Sequence, residues 1–141
     1  DPQGSSKTDE CVAEWQGDAA ATAPNGVALS PDHRTLYMSD SQRGVVEARA
    51  VEGDGSLGAA SLLASGLTTP DGMCVDRGGN LYVATWGQTL EIYGPDGIRW
   101  GAVLLPDVGT NCGFGGPDGR SLFVTTRSGL HVVDTAIPGL P

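Results

Sequence analysis

Positive charge is scarce in this sequence: 8 Lys and Arg stand against 17 Asp and Glu, for a formal net charge of −9. So acidic a chain repels polyphosphate and anionic headgroups, which excludes nucleic acid and a membrane surface as expected partners. A long apolar run is also missing, so no bilayer-spanning helix is expected. The opening segment DPQGSSKTDE, which begins at Asp1 rather than Met, lacks the basic-then-apolar order of a secretory signal. A cytoplasmic location is the expectation.

Cysteine and histidine are sparse as well. Cys11, Cys74 and Cys112 are odd in number and widely spaced, which suits neither a disulfide framework nor a CxxC zinc site. They read as reduced, mostly buried thiols. His33 falls in a Pro-Asp-His-Arg turn and His131 in an alternating strand pattern, so no nucleophile–histidine pair is evident. What the chain does contain is 22 Gly and 9 Pro within 141 residues. Such a composition disfavours helix interiors and excludes a helical bundle, and the length allows one domain.

Three segments are self-similar when anchored on Leu36-Tyr37, Leu81-Tyr82 and Leu122-Phe123, spaced 45 and 41 residues apart. They read NGVALSPDHRTLYMSD from Asn25, DGMCVDRGGNLYVAT from Asp71 and NCGFGGPDGRSLFVTT from Asn111. A polar residue, a short apolar run, a Pro/Asp/Gly turn and a second apolar run make each a β-hairpin. Further strand-like runs follow: 45–51 and 57–64 in the first unit, 89–93 and 98–105 in the second, 129–134 in the third. Four short antiparallel strands recurring every 40 to 50 residues are the signature of a β-propeller.

The expected class is therefore all-β, with about three blades of four antiparallel strands. Residues 1–23 form a lead with one outer strand at 11–15; the partial propeller occupies 24–141, in repeats 24–69, 70–110 and 111–135. Closed propellers need at least four blades. Either further blades lie upstream in a longer parent, or two copies cover one another's open faces, and self-association of the chain alone is the expectation.

The repeat places Asn25, Asp71 and Asn111 at equivalent heads of the innermost strands, around one mouth of the central channel. Loops 39–43, 85–88 and 126–128 should surround the same mouth, while His33, Arg77 and Asp118 fall on the opposite face. An oxygen-rich ring of this kind suits a hard divalent cation. The alternative is that Asn-Gly and Asp-Gly merely make tight turns. Trp86, on a mouth loop before Gly87, either stacks on a sugar-like ring or packs between blades. Asp76 with Gly78, Gly79 and Asn80 reads as a structural turn.

PNGVALSPDHRTLYMSD, PDGMCVDRGGNLYVATWG and TNCGFGGPDGRSLFVTT resemble the senescence-marker-protein, gluconolactonase and luciferin-regenerating-enzyme-like family of six-bladed propellers, over about residues 24–135. The resemblance implies that Asn25 and Asp71 are ligands of one divalent cation on the propeller axis, Ca²⁺ first, with Zn²⁺, Mn²⁺ and Mg²⁺ as alternatives. It implies lactone hydrolysis by activated water, with Asp71 as the general base. It also implies that a third ligand, a Glu, and the Arg and Asn that hold substrate belong to three earlier blades outside this chain. Asn111 and Trp86 are then expected to contact a small lactone substrate. The expected function is a metal-dependent hydrolase of sugar lactones or related cyclic esters, as the C-terminal half of an enzyme. The alternative is a non-catalytic binding or assembly module.

Overall fold

The computed structural model describes residues 22–141, so the expected outer strand at 11–15 lies outside the described residues. Three antiparallel sheets follow in chain order. The first is β1 (Pro24–Leu29), β2 (Thr35–Asp40), β3 (Val45–Ala50) and β4 (Ser61–Ser65). The second is β5 (Pro70–Val75), β6 (Leu81–Thr85), β7 (Thr89–Tyr93) and β8 (Arg99–Leu104). The third has β9 (Gly109–Gly115), β10 (Ser121–Thr126) and β11 (Leu130–Asp134). Within each sheet, neighbours in sequence are neighbours in space, as the repeated hairpins predict.

The strand at 57–64 is shorter than expected. Leu57 makes only a bridge to Val51, closing a turn in which Asp54 accepts from the Ser56 main-chain N–H at 2.9 Å, and β4 starts at Ser61. Among the described residues the third sheet has three strands. Beyond β11 the chain runs back to the second sheet, where Gly139 bridges Asp76 and Arg77 N–H donates to the Pro138 carbonyl at 2.9 Å.

Alternation along the strands gives each sheet two faces, and the sheets cover one another with them. Tyr37, Val46, Ala64 and Leu67 meet Met73, Val75, Leu81, Val83 and Tyr93 between the first and second blades. Tyr82, Ala84 and Leu90 meet Leu122 and Val124 between the second and third. Val46, Val83, Leu90, Leu122 and Val124 are fully buried, each worth about 1.5–3 kcal/mol against exposure. Tyr82 and Phe114 pack edge to face across the second interface, with ring centroids 5.3 Å apart.

The first strands of the three sheets, β1, β5 and β9, lie beside one another and form the hub. Two glycines make this approach feasible. A Cβ on Gly26 would sit 2.3 Å from the Asp71 carbonyl oxygen, and one on Gly72 would sit 2.8 Å from Asn111 Cα. Neither glycine has a positive φ, and both lie within strands. Asn-Gly and Asp-Gly therefore do not serve as tight turns here; the small residue admits the next blade's main chain.

Among the described residues, no helix is long and apolar enough to cross a membrane.

Candidate functional site

Asn25 and Asp71 each follow a proline at the head of an inner strand, and each head carries a β-bulge. Pro24 pairs with Asp40 and Val27 with Met38; Pro70 pairs with Thr85 and Met73 with Val83. The extra residue in each strand re-aims the chain at the rim of the hub. In the third blade Gly109 pairs with Thr126 and Cys112 with Val124. By register, then, Thr110 is the equivalent of Asn25 and Asp71, while Asn111 takes the place of Gly26 and Gly72. The expected three-fold equivalence fails by one residue, because the third hairpin turn is one residue longer than the first and β9 slides accordingly. Asn111 is exposed, accepts from its neighbour's Cys112 N–H at 2.8 Å, and lies against Gly72.

A serine pair from the end of β2 ties the heads of β1 and β5 together. Ser39 Oγ accepts from Gly26 N–H at 2.7 Å and donates to the Asp71 carbonyl at 2.8 Å. Ser41 Oγ accepts from Asn25 Nδ2 at 3.1 Å and donates to the Pro70 carbonyl at 2.7 Å. The Asn25 amide thus spends its N–H on Ser41, and among the described residues no donor reaches its Oδ1.

Asp71, half-buried, receives the other predicted residue directly: Trp86 Nε1 donates to its Oδ2 at 3.1 Å. Trp86 stays 49% exposed, so its ring lines the mouth and is not sealed between blades. Its main-chain N–H is shared between the Thr68 and Thr69 carbonyls, at 3.0 and 3.3 Å. Thr69 has φ 46° and Gln88 has φ 62°. Left-handed backbone at non-glycine residues is strained, and a residue before proline normally avoids it. The two strained positions flank the Asp71–Trp86 contact, the kind of place where such strain collects.

The structure brings Asn25 and Asp71 onto adjacent strand heads, adds Trp86 to Asp71, and leaves Asn111 one step along β9. Ser39 and Ser41 were missed in the sequence reading. Their only sequence signal was position in the loop after the Leu-Tyr anchor. Among the described residues no group of three or more His, Cys, Asp or Glu gathers at this mouth or elsewhere. The two side chains do, however, fit part of a hard-cation site: an amide oxygen without a donor and a carboxylate with one oxygen outside the Trp86 bond are the ligand types such an ion takes.

His33 is exposed with φ 58°, and His131 is half-buried with Nε2 3.1 Å from Thr126 Oγ1. Asp76, fully buried, accepts from the Gly78 and Asn80 N–H groups, Asn80 Nδ2 and the Tyr82 hydroxyl. Asp76 thus holds the turn from Gly78 to Asn80 onto Tyr82. Burial first, and then the charge of Asp76, push the Tyr82 phenol well above its ordinary range.

A cleft of about 380 Å³ lies behind the Trp86 loop, lined by Thr68, Thr85, Thr89, Glu91 and Arg99 among others, but not by Asn25, Asp71 or Trp86.

The family model described as the SMP-30/Gluconolactonase/LRE-like region matches residues 7–128. Regucalcin of Xenopus laevis is 38% identical over 111 residues, 72% of this chain and 36% of its own length. Pentonolactonase XacC of Haloferax volcanii is 33% identical over 112 residues, 75% of this chain and 38% of its own. Among solved structures, the Xanthomonas campestris gluconolactonase XC5397 superposes with a TM-score of 0.72 at 33% identity, covering 82% of this chain and 38% of that one. The chain thus spans less than two-fifths of the length of each of these proteins.

Proposed function

Because this chain belongs to the SMP-30/gluconolactonase/LRE-like family, we propose that it forms part of a divalent-cation-dependent hydrolase of sugar lactones or related cyclic esters. The observation that carries the reading is the pairing of Asn25 and Asp71 on adjacent strand heads, with Trp86 hydrogen-bonded to Asp71. Relatives named pentonolactonase and gluconolactonase support the substrate class. A solved structure described as a calcium-binding regucalcin supports Ca²⁺ as the cation, with Zn²⁺, Mn²⁺ and Mg²⁺ as alternatives. A cytoplasmic site of action belongs to the same reading.

Asn25 Oδ1 and the Asp71 carboxylate would hold the cation, which when bound supplies Lewis acidity to the ester carbonyl and to water. Asp71 then accepts a proton from the attacking water as its oxygen bonds to the carbonyl carbon. The ring C–O bond breaks, and Asp71 returns that proton to the departing alkoxide, giving the open hydroxy acid. Trp86 has two parts in this: its N–H fixes the carboxylate's orientation, and its exposed ring offers a stacking face to a sugar-like substrate. Asn111, against Gly72, is the pocket wall.

Two protein oxygens leave room for a further carboxylate, and the family resemblance implies a Glu there. A second reading is a non-catalytic binding or assembly module, favoured by the absence of any group of three or more His, Cys, Asp or Glu among the described residues. Titrating Ca²⁺, Zn²⁺ and Mn²⁺ against this chain while following its melting temperature separates the two, since a ligand bound only by the native state raises it. A rise together with hydrolysis across a panel of aldonolactones supports the enzyme. No shift at millimolar metal supports the module.

A further inference from the structure

The Cys74 and Cys112 sulfurs, 38 positions apart in sequence, are 2.9 Å apart across the interface between the second and third blades. Both thiols are free and half-buried. Sequence spacing alone reads them as reduced, mostly buried thiols; their proximity arises because β5 and β9 are neighbours at the hub. Just before them the main chains are already in contact, Gly72 against Asn111. We propose that Cys74 and Cys112 are a dithiol that closes to an intramolecular disulfide under oxidising conditions and staples the third blade to the second.

A disulfide S–S bond is about 2.05 Å long, so closure from 2.9 Å asks the sulfurs to approach by roughly 0.9 Å. Closure needs a small-molecule disulfide such as oxidised glutathione as electron acceptor. One cysteine thiolate attacks a glutathione sulfur and releases one glutathione thiolate. The second cysteine loses its proton and attacks the protein sulfur of that mixed disulfide, releasing the second glutathione. Two thiols become one protein disulfide, and one oxidised glutathione becomes two reduced ones. The contact with Cys112, and then burial, hold the Cys74 thiol well above the usual thiol range. Closure at neutral pH is therefore slow, as attack requires a thiolate.

The staple acts where the fold has least support. Among the described residues the third blade has three strands to the others' four, and its far face carries exposed Phe123, Leu130 and Val132. The bond would also lie next to Asn111 and three residues from Asp71, fixing the spacing of β5 and β9 beside the candidate site.

The test uses the chain with Cys11→Ser, so that only this pair remains. It is equilibrated in glutathione buffers of graded ratio, acid-quenched, unfolded, alkylated and digested with trypsin. The proposal expects both thiols to be lost together, one cross-linked product of tryptic peptides 50–77 and 100–120, and a melting temperature raised by roughly 10 °C that dithiothreitol reverses. Cys74→Ala and Cys112→Ala should each remove that redox dependence. If both cysteines remain alkylable at every ratio, or each ends as a separate glutathione adduct, the proposal is overturned. Should an alanine variant fail to fold, peptide mapping of the unaltered pair decides the matter alone.

Discussion

Trp86 donates its indole N–H to Asp71 Oδ2 at 3.1 Å, joining the loop after β6 to the head of β5. The bond distinguishes the two oxygens of Asp71: the indole orients Oδ2, and Oδ1 lies outside that bond. A hydrogen bond to a charged group is worth about 1.5–3 kcal/mol when buried, and less at a residue as exposed as Trp86. Trp86→Phe keeps a smaller aromatic face and removes the N–H. Lactone hydrolysis by this variant is expected to fall roughly tenfold in kcat/KM, about 1.4 kcal/mol, with the melting temperature little changed. Equal rates for the two proteins would remove Trp86 from the mechanism.

Asp71→Asn tests the ligand assignment itself. On the proposed reading, Ca²⁺ at a hundredfold above its dissociation constant would stabilise the wild-type chain by about 2.7 kcal/mol. The variant should show no Ca²⁺-induced rise in melting temperature and no metal-dependent turnover. A Ca²⁺ response as large as that of the wild type would count against Asp71.

The close approach of β1, β5 and β9 makes Gly26 and Gly72 the least replaceable residues of the hub. A methyl at Gly72 would meet Asn111 Cα at 2.8 Å and Oδ1 at 2.1 Å, and one at Gly26 would meet the Asp71 carbonyl at 2.3 Å. Main chain cannot swing aside as a flexible side chain can. Gly26→Ala and Gly72→Ala are each expected to cost about 2–3 kcal/mol, read from urea unfolding midpoints. Gly101→Ala is the control, because a Cβ there meets nothing within 4 Å.

These glycines also show what could be read in the sequence. The Leu36-Tyr37, Leu81-Tyr82 and Leu122-Phe123 anchors became the second strands of three sheets, and from them blade order and hairpin register followed. Strand period and turn chemistry are local, so they are visible in one sequence. The third blade escaped by one residue, because an extra residue in its turn shifts β9 without altering the motif, and Asn111 lost its equivalence to Asn25 and Asp71. The Trp86–Asp71 bond and the Cys74–Cys112 contact could not be read from any period, because they depend on how the blades face one another. Ser39 and Ser41 escaped for the same reason: each acts on a strand of the next blade.

Acid should loosen the loop beside the candidate site. Burial alone would push the Asp40 carboxyl up, but the Arg43 and Thr22 main-chain N–H groups, the Thr22 hydroxyl and the Gln42 N–H outweigh it and hold it below the usual range. A carboxyl lowered on folding stabilises the fold above its unfolded value of about 3.9, and that contribution is lost as pH falls through the folded value. Urea midpoints should therefore drop as the pH falls from about 5 through the unfolded value of about 3.9 and on to the lower folded one. Asp40→Asn should be less stable at neutral pH by about 2 kcal/mol and show a shallower acid decline. An unchanged pH slope in the variant would place the acid sensitivity elsewhere.

The open face of the third blade supplies the last prediction. Phe123, Leu130 and Val132 occupy the register positions that Tyr82, Leu90 and Ile92 hold in the second blade. Tyr82 and Leu90 are 8% and 0% exposed because a following blade covers them, whereas Phe123, Leu130 and Val132 are 37%, 62% and 54% exposed. A sheet face of this kind, beside a β11 edge that pairs with no further strand among the described residues, favours pairing with a second copy when the chain is alone. The chain is expected to sediment as a dimer or larger at tens of micromolar. Leu130→Thr with Val132→Thr keeps strand propensity while removing apolar surface, and should shift the protein towards monomer without lowering its melting temperature at low concentration. A wild-type chain that is monomeric at every concentration, or a double variant that associates equally well, would show that this face needs no partner.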